Sequence, residues 1–420
     1  MRVIKMILKG WIHEIRDLGG IKFLILRNRE GLYQIVLPKK KVPGEIFEKV
    51  SELNKEDVVL IECEKKESKA KDFEFEYLPS EITVLNRSET PLPLDPAEKV
   101  SAEMDTRLDN RFLDLRKRKI YSIFKIRSDL LRYAREFLLN NDFIEIHTPK
   151  IISTASEGGT DLFPVQYFEK KAYLSQSPQL YKEMMMAAGF DRVFEIAWYF
   201  RAEEHNTRRH LNESTAIDLE MAFIKDEEDV METLENLIHH IIKNISENCK
   251  KELNEIGVEM DIPETPFKRI TYDKAIEILN DRGSTIEWGE DLGTEDERIL
   301  GEYMKENDIA YYFIKRFPAK KIFYIMPDGK YCRGFDLDCN GVEITSGGQR
   351  IHDHDLLVNR IREFGLNPAN FEDYLKVFRY GMPPHGGFGM GIERLLMEIL
   401  RLNNIRECIL FPRDRNRIKP

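Results

Sequence analysis

An arginine and a glutamate stand two residues apart at Arg201 and Glu203, where an apolar run with strand character gives way to a polar loop. Residues i and i+2 of a strand point to the same side, so both side chains would face one ligand. A guanidinium grips a phosphate through two parallel hydrogen bonds, and a carboxylate accepts hydrogen bonds from an adenine or ribose group. Alone, such a pair is most often a surface ion pair. With the two segments described next, it indicates a nucleotide site.

A glycine-rich strand, residues 386–391, runs into an apolar helical segment that carries Arg394 at its start. Glycines let a ligand approach the backbone closely, and a helix N-terminus favours anions. A dinucleotide-binding fingerprint is excluded, because these glycines lie near the end of the chain and not in a βαβ unit with an acidic partner downstream. Taken by itself, the segment could also be a purely structural glycine turn.

A third segment, residues 142–152, follows a long stretch of helical periodicity and turns at Pro149. Taken in order, the three segments resemble motifs 1, 2 and 3 of class II aminoacyl-tRNA synthetases, over nearly the whole chain. Motif 1 ends at Pro149, motif 2 is Arg201-x-Glu203, and motif 3 is Gly389-x-Gly391-x-Glu393-Arg394. Within that class the chain is similar to aspartyl-tRNA synthetases of the compact archaeal and eukaryotic kind. Where a motif 1 glycine is common, this chain has Asn141-Asp142, two residue types that tolerate a left-handed backbone.

The resemblance implies an aspartate pocket built from residues 157–160, 176–182 and 346–350. In it, Lys182 and Arg350 hold the side-chain carboxylate, because two desolvated cations need a carboxylate and an asparagine amide would leave them underpaired. Asparaginyl enzymes do not normally present that lysine, so Lys182 is the discriminating residue. Glu157 and Gln179 are expected near the α-amino group, and Ser346 lines the pocket. The implied aspartate-binding residues are Glu157, Gln179, Leu180, Tyr181, Lys182, Arg201, Ser346 and Arg350.

The reaction implied first is attack of the aspartate carboxylate on the α-phosphorus of ATP, which releases pyrophosphate and leaves aspartyl-adenylate. Positioning and electrostatics supply most of the acceleration in such a reaction. Arg201 is expected on the α-phosphate and Arg394 on the γ-phosphate, as the two catalytic residues. The cofactor Mg²⁺ is expected on Glu343 and Ser346, which offer hard oxygen ligands. The implied ATP-binding residues are Arg201, Ala202, Glu203, Arg209, His210, Leu211, Glu343, Gly391, Ile392, Glu393 and Arg394.

The second reaction passes the aspartyl group to the 3′ end of tRNA(Asp), and tRNA(Asn) stays open as a further substrate. No Ser-His-Asp or Cys-His arrangement is evident, and none is needed, because an adenylate is already activated. His210 and His385 are interpreted as nucleotide-site or packing residues. Three alternatives remain: an asparaginyl-tRNA synthetase, a paralogue that makes the adenylate without charging tRNA, and a non-catalytic tRNA-binding protein.

The elements that would position these residues fall into two regions. Short alternating runs at 3–15, 21–27, 32–37, 57–64 and 73–85, with room for one helix in 39–56, predict a small closed barrel of the oligonucleotide-binding (OB) type. The pattern alone also allows another small sheet domain. By resemblance this is the anticodon-binding domain, in which Phe23 offers a stacking face and Arg16 and Gln34 contact phosphate or a base edge.

Three prolines within Thr90–Asp109, a stretch without helical period, mark a linker. We therefore predict an OB domain at 1–88, a hinge at 89–110 and a catalytic domain at 111–420. In the last, helical spacing over 123–138 and 230–245 alternates irregularly with strand-like runs. The predicted class is α+β, with a mainly antiparallel sheet flanked by helices. The strand-like runs are 193–201, 215–224, 322–326, 333–339 and 341–345.

The 420 residues carry a formal charge of −10, with 42% hydrophobic and 33% charged residues. These values are typical of a globular protein and argue against one that coats nucleic acid by bulk attraction. Basic and acidic residues are equal in number over residues 1–95, so the acidic surplus lies in the remainder. The five cysteines are far apart, and no apolar run reaches a membrane-spanning length. We expect a cytoplasmic homodimer with ATP, L-aspartate and tRNA as partners and no membrane association.

Overall fold

The structure is a computed structural model that describes residues 4–68, 73–97, 101–153, 162–204 and 207–420. The chain forms two compact units, Met1–Lys117 and Arg118–Pro420. The boundaries predicted at 88 and 110 stay a prediction. One detail differs from the sequence pattern, because Met104–Asp109 in the predicted hinge forms a short helix.

The first unit contains a closed five-stranded barrel with the strand order β1-β2-β3-β5-β4. Leu24, Leu26, Ile35 and Leu37 alternate along two neighbouring strands and are completely buried in its core. The closed strand order confirms the predicted barrel, and the alternating residues fill its interior. The elements are β1 (Ile4–Asp17), β2 (Ile21–Arg27), β3 (Leu32–Pro38), α1 (Gly44–Lys49), a 3₁₀ turn (Val50–Glu52), β4 (Val58–Glu67), β5 (Phe75–Asn86), α2 (Met104–Asp109) and α3 (Arg111–Asp114).

The second unit is built on a sheet of eight strands flanked by helices. Its helices are α4 (Arg118–Asn140), α5 (Gln179–Ala187), α6 (Glu227–Asn248), α7 (Lys250–Ile256), α8 (Tyr272–Asp281), α9 (Thr294–Glu306), α10 (His354–Glu363), α11 (Glu372–Phe378) and α12 (Ile392–Ile399), with 3₁₀ turns at Pro368–Phe371 and Ile405–Cys408. Its strands are β6 (Ile144–Glu145), β7 (Ile151–Ile152), β8 (Pro164–Tyr167), β9 (Lys170–Leu174), β10 (Arg192–Phe200), β11 (Glu213–Ala222), β12 (Lys268–Thr271), β13 (Tyr311–Lys315), β14 (Pro327–Asp328), β15 (Tyr331–Cys332), β16 (Gly334–Cys339), β17 (Val342–Gln349) and β18 (His385–Gly391).

The large sheet has the order β12-β13-β16-β17-β18-β11-β10-β6. Only its two outermost pairs are parallel, and the five pairs between them are antiparallel. The predicted α+β class with a mainly antiparallel sheet is therefore confirmed.

The strand predicted at 322–326 is wrong. These residues form turns with a single bridge between Ile325 and Arg350. Phe323 and Tyr324 are nevertheless buried in the hydrophobic core. A short apolar run records burial, and burial alone does not distinguish a strand from a packed loop.

Two long helices support the sheet, and α4 packs against α6. The start of α6 is fixed by Asp226, whose side chain accepts a hydrogen bond from the Glu228 amide, and acidic residues fill the first turn. Both features suit the N-terminal end of a helix dipole. After α4, Asp142 adopts a φ of 64°, the left-handed conformation that replaces the usual glycine. Among the described residues, no helix combines the length and apolar character needed to cross a membrane.

Candidate active site

Two rows of paired residues cross the middle of the large sheet beside a cavity of about 370 Å³, and four of their residues, Gly334, Ser346, Gly389 and Asp218, line it. The first row runs through Asp336, Ser346, Gly389 and Asp218, each directly opposite the next on adjacent strands. Residues opposite each other in a sheet present their side chains on the same face. The row therefore has an acidic residue at each end, with a serine hydroxyl and a glycine between them. The glycine adds no side chain to the cavity.

The second row runs through Gly334, Gly348, Gly387 and Glu220. Three glycines side by side leave the backbone bare next to one buried carboxylate. A Cβ on Gly387 would lie 2.1 Å from the Leu219 carbonyl oxygen and 2.4 Å from the Glu220 carboxylate. Position 387 admits no side chain, because the Leu219 carbonyl oxygen and the Glu220 carboxylate occupy the space that a Cβ atom would need.

Beside one end of the cavity, Lys182 and Arg350 converge on Glu220, and of these three residues only Arg350 lines the cavity. Lys182 Nζ lies 3.4 Å from one Glu220 oxygen, and Arg350 Nε donates to the other at 3.1 Å. The side chains of all three residues are at most 3% exposed. A carboxylate that bridges two buried cations offsets part of their desolvation cost.

The Lys182 ammonium already has a full set of acceptors. It donates to Asp218 Oδ1 at 2.9 Å and to the carbonyl oxygens of Leu219 and Phe388 at 3.1 Å each. An ammonium group has three hydrogens, so a substrate carboxylate must displace one of these partners to contact it. Arg350 differs, because its guanidinium lines the cavity.

The opposite end of the cavity is lined by cations that are only partly buried. Arg201 lies over the Tyr199 ring at 5.5 Å, and Arg394 donates to the Glu343 carbonyl oxygen at 2.8 Å. Arg209 pairs with Glu297 at 3.1 Å. Such partly solvated guanidinium groups can turn toward an entering polyphosphate at little desolvation cost.

Four carboxylates lie close together around a neighbouring cavity, those of Glu297, Asp336, Asp338 and Glu343. Burial and the negative charge of Glu343 raise the pKa of Glu297 from 4.5 to about 7. Burial, followed by the charges of Glu343 and Asp336, raises the pKa of Asp338 well above its usual value. For Asp336, burial and Glu343 raise the pKa while the ammonium of Lys321, which contacts this carboxylate, opposes the rise. The raised pKa values show that these carboxylates repel one another, so a bound cation would favour their ionised forms.

The donor set fits Mg²⁺. Glu343 and Ser346 line the cavity, and the buried Asp336 Oδ1 has no hydrogen-bond partner among the described residues. The same part of the chain contains no group of three or more His, Cys, Asp or Glu side chains arranged to enclose a metal ion. Magnesium is typically held by one or two carboxylates together with substrate phosphates and water.

In the barrel, the register places the predicted anticodon residues on one face. Arg16 is opposite Phe23, and Ile25, two residues further along β2, is opposite Gln34. Their neighbours Leu24 and the rest of the alternate set point into the core. Phe23 and Gln34 are partly exposed, and Arg16 is largely exposed and pairs with Glu14 at 3.0 Å.

Comparison with known proteins accounts for both units. A family model described as "tRNA synthetases class II (D, K and N)" matches residues 103–415, and one described as "OB-fold nucleic acid binding domain" matches residues 6–85. The chain belongs to the class II tRNA synthetases. The family predicted from the three motifs is confirmed.

This synthetase is 59% identical to the aspartate–tRNA(Asp) ligase of Thermococcus kodakarensis over 98% of this chain and 95% of the relative. It is 53% identical to the aspartate–tRNA(Asp/Asn) ligase of Methanocaldococcus jannaschii over 99% and 95%. Its structure superposes on asparaginyl-tRNA synthetase from Pyrococcus horikoshii complexed with asparaginyl-adenylate with a TM-score of 0.92, at 37% identity over 99% and 96%.

Most of the predicted site residues of the synthetase meet in the cavity, and a few do not. Its lining includes Arg201, Glu203, Arg209, His210, Leu211, Glu343, Gly391, Glu393 and Arg394 from the ATP set, and Gln179, Arg201, Ser346 and Arg350 from the aspartate set. The described lining does not include Ala202, Ile392, Leu180, Tyr181 or Lys182. Glu157 lies outside the described residues.

Glu393 lines the cavity, but its carboxylate is engaged by the protein. It accepts hydrogen bonds from Arg127, at 2.7 Å, and from the side chain and amide of Thr215. Glu393 is 1% exposed. In this structure the motif 3 glutamate thus ties α12 to α4 and β11.

The sequence interpretation missed Asp218 and Glu220 as functional residues. They alternate along β11 in the segment Ile217-Asp218-Leu219-Glu220, and the period of two places both carboxylates on one face. A strand buried on both faces cannot keep two adjacent acids on one side without cationic partners. That pattern was the available signal. Lys321 and Tyr199 also contact this site, and nothing in their spacing predicted it.

Proposed function

We propose that this synthetase is an aspartate–tRNA ligase, which activates L-aspartate with ATP and transfers the aspartyl group to tRNA. The observation that carries the proposal is the convergence of Lys182 and Arg350 on Glu220, beside the cavity lined by Arg201 and Arg394. The relatives at 52–59% identity, over nearly the full chain, are named as aspartate–tRNA ligases. These relatives support aspartate over the asparaginyl alternative.

In the activation step, Arg350 binds the side-chain carboxylate of aspartate from above the glycine row. Its Nη2 donates to the Gly387 carbonyl oxygen at 2.9 Å, and this bond fixes the plane of the guanidinium. A planar fork held in this way matches a carboxylate better than an amide. Lys182 contributes positive charge from below, through its contacts to Asp218 and Glu220.

Arg201 stabilises the α-phosphate under attack, and Arg394 holds the γ-phosphate. Both lie in a cavity partly closed to water, where a positioned cation stabilises charge in the transition state more strongly than in bulk solvent. Arg209 and His210 line the same end, and Glu203 lies 3.7 Å from His210 Nε2, in reach of an adenine. Bound Mg²⁺ would neutralise phosphate charge, and Glu343 and Ser346, with Asp336 beside them, would hold it.

The barrel face of Arg16, Phe23 and Gln34 would read the anticodon of tRNA(Asp). Stacking of a base on an aromatic ring is worth about 1–3 kcal/mol. The relatives include ligases named for tRNA(Asp) and others named for tRNA(Asp/Asn), so charging of tRNA(Asn) is part of the test.

We further propose a cytoplasmic homodimer. Ile144 on the edge strand β6 and Ile151 on β7 are about half exposed, as expected of a motif 1 surface that pairs with a second copy. The five cysteines are buried and form no disulfide, which suits a reducing compartment.

The experiment is pyrophosphate exchange with aspartate and with asparagine, followed by charging of purified tRNA(Asp) and tRNA(Asn). We expect exchange with aspartate and charging of tRNA(Asp). Exchange with asparagine alone would overturn the substrate assignment. Exchange without charging of either tRNA would instead favour a paralogue that only makes the adenylate.

A further inference from the structure

Three buried polar residues, Glu183, Tyr374 and His385, form a hydrogen-bonded group behind the proposed aspartate pocket. The activation chemistry described above does not use this group. We propose that Glu183 is a positioning residue that fixes the Gln179 amide and the Arg350 guanidinium, and thereby sets the affinity for aspartate. The inference rests on the proposed function, because it assigns Arg350 to the substrate carboxylate.

The helix α5 presents the three relevant side chains on one face. Gln179, Lys182 and Glu183 stand at positions i, i+3 and i+4, which are neighbours on a helix surface. They are 5%, 2% and 0% exposed. Burial of a carboxylate next to the pocket costs free energy unless neighbouring groups compensate its charge by hydrogen bonds and ion pairs.

Glu183 determines how the Gln179 amide is oriented. The Gln179 Nε2 donates to Glu183 Oε1 at 2.7 Å, and a carboxylate only accepts, so the amide nitrogen must face it. The amide oxygen is therefore turned to the cavity, where Arg350 Nη2 lies 3.4 Å away. A rotated amide would present its NH₂ group to the guanidinium and push it away.

The other Glu183 oxygen is held from two further elements. Tyr374 of α11 donates its hydroxyl at 2.7 Å, and His385 Nε2 lies at 3.2 Å. His385 Nδ1 lies 2.8 Å from the Pro383 carbonyl oxygen. Both ring nitrogens thus lie within hydrogen-bond distance of an oxygen atom, so the ring is fixed between Glu183 and the Pro383 backbone.

Glu183 is a buried carboxyl group influenced by two basic side chains, those of His385 and Arg350. Burial acts to raise the pKa of Glu183, but the hydrogen bond and charge of His385 and the charge of Arg350 outweigh it and hold the pKa below the usual value. The negative charge draws Arg350 toward α5 and keeps its fork aligned over the glycine row. Loss of that charge should loosen the guanidinium and leave the nucleotide end of the cavity as it is.

The test compares Glu183→Gln with the wild type in pyrophosphate exchange, with aspartate and ATP varied separately. We expect the aspartate KM to rise about tenfold, the order of one hydrogen bond to a charged group. The ATP KM should change by less than about twofold, because the nucleotide contacts are untouched. The exposed Glu277→Gln on α8, where Glu277 pairs with Lys274, is the matched control and should leave both KM values unchanged.

Tyr374→Phe keeps the Glu183 charge and removes one of its hydrogen bonds. It should raise the aspartate KM about threefold at a constant ATP KM. If Glu183→Gln yields no folded protein, this variant decides the question. Thermal unfolding of each variant separates a local change from general destabilisation.

The outcomes are distinct. Wild-type exchange with aspartate, together with an unchanged aspartate KM in the variants, would overturn the role of Glu183 and leave the proposed function standing. A parallel rise in both KM values would also overturn it, because it indicates general loss of structure. Absence of aspartate exchange in the wild type would remove the proposed function, and the inference with it.

Discussion

The buried and the partly solvated ends of the cavity differ in how their charges are balanced. We call them the aspartate end, beside Lys182 and Arg350, and the phosphate end, lined by Arg201, Arg394 and Glu343, after the ligands that we propose for them. At the aspartate end, Lys182 and Arg350 are matched by Asp218 and Glu220, and all four side chains are almost completely buried. At the phosphate end, carboxylates gather around Glu343 in excess of their cationic partners, and their pKa values are raised. At the first end the buried charges compensate one another within the protein, whereas the carboxylates at the second end would be stabilised in their ionised form by a bound cation.

This contrast has a consequence for stability. Removing one member of a buried ion cluster leaves an uncompensated charge, which is strongly destabilising. Removing a partly solvated arginine leaves its neighbours in contact with water. Substitutions at the aspartate end should therefore affect both folding and activity, and substitutions of the arginines at the phosphate end should affect activity alone.

The largest effect is expected for Lys182→Met. The variant leaves Asp218 and Glu220 without their shared ammonium, so the free energy of unfolding should fall by about 3–5 kcal/mol. Exchange with aspartate should fall below detection. Differential scanning calorimetry and pyrophosphate exchange measure the two effects. A wild-type unfolding temperature in this variant would contradict the claim that the aspartate end contributes to folding stability.

Arg394→Ala is the counterpart at the phosphate end. Loss of one preorganised cation at the transferred polyphosphate should lower kcat by about 10²–10³-fold. The unfolding temperature should stay close to that of the wild type, because Arg394 donates to the Glu343 backbone and not to a buried carboxylate. Arg362→Ala on the exposed side of α10 serves as control and should change neither quantity. A large drop in unfolding temperature for Arg394→Ala would erase the distinction between the two ends.

The sequence predicted more of the phosphate end than of the aspartate end, for a physical reason. We propose that Arg201 and Arg394 contact the nucleotide directly, and their motifs indicate that role through residue spacing and glycines. Lys182 and Arg350 depend on Asp218 and Glu220, which come from a different part of the chain. The pairing exists only once β11 lies beside β18 and α5.

The fold shows the same limit. Alternation along β2 and β3 predicts strands correctly, because period and burial agree there, but the pattern alone also allows another small sheet domain. The run 322–326 was assigned to a strand because it is apolar, although the structure uses Phe323 to fill the core from a loop. The local sequence pattern indicates which residues are buried. Which segments pair as strands is determined only when the whole sheet is assembled.

A smaller effect is expected for Arg209→Gln, which tests whether the phosphate end is loosely held. Arg209 is partly exposed and pairs with Glu297. Its loss should raise the ATP KM about tenfold, as for one charge-assisted contact, and leave the aspartate KM unchanged. Separate titrations of the two substrates in pyrophosphate exchange measure this. An equal rise in both KM values would mean that the two ends are mechanically coupled.

The last effect is confined to pH values above about 4.5 and concerns stability, through Glu297→Gln in metal-free buffer. Burial and Glu343 raise the pKa of Glu297 to about 7 in the folded protein, from 4.5. The folded state then holds a proton that the unfolded state has lost between these values, so ionisation of Glu297 costs stability as pH rises through that window. The neutral glutamine carries no such cost.

The unfolding temperatures of Glu297→Gln and the wild type should therefore agree near pH 4.5 and diverge in favour of the variant up to pH 8. Thermal unfolding at several pH values, with a chelator present, follows the difference. Added Mg²⁺ should shrink it at pH 8 by stabilising the wild type, since a bound cation compensates the carboxylate charge. Identical pH profiles would mean that the phosphate end carries no excess negative charge, and the contrast between the two ends would reduce to their difference in burial.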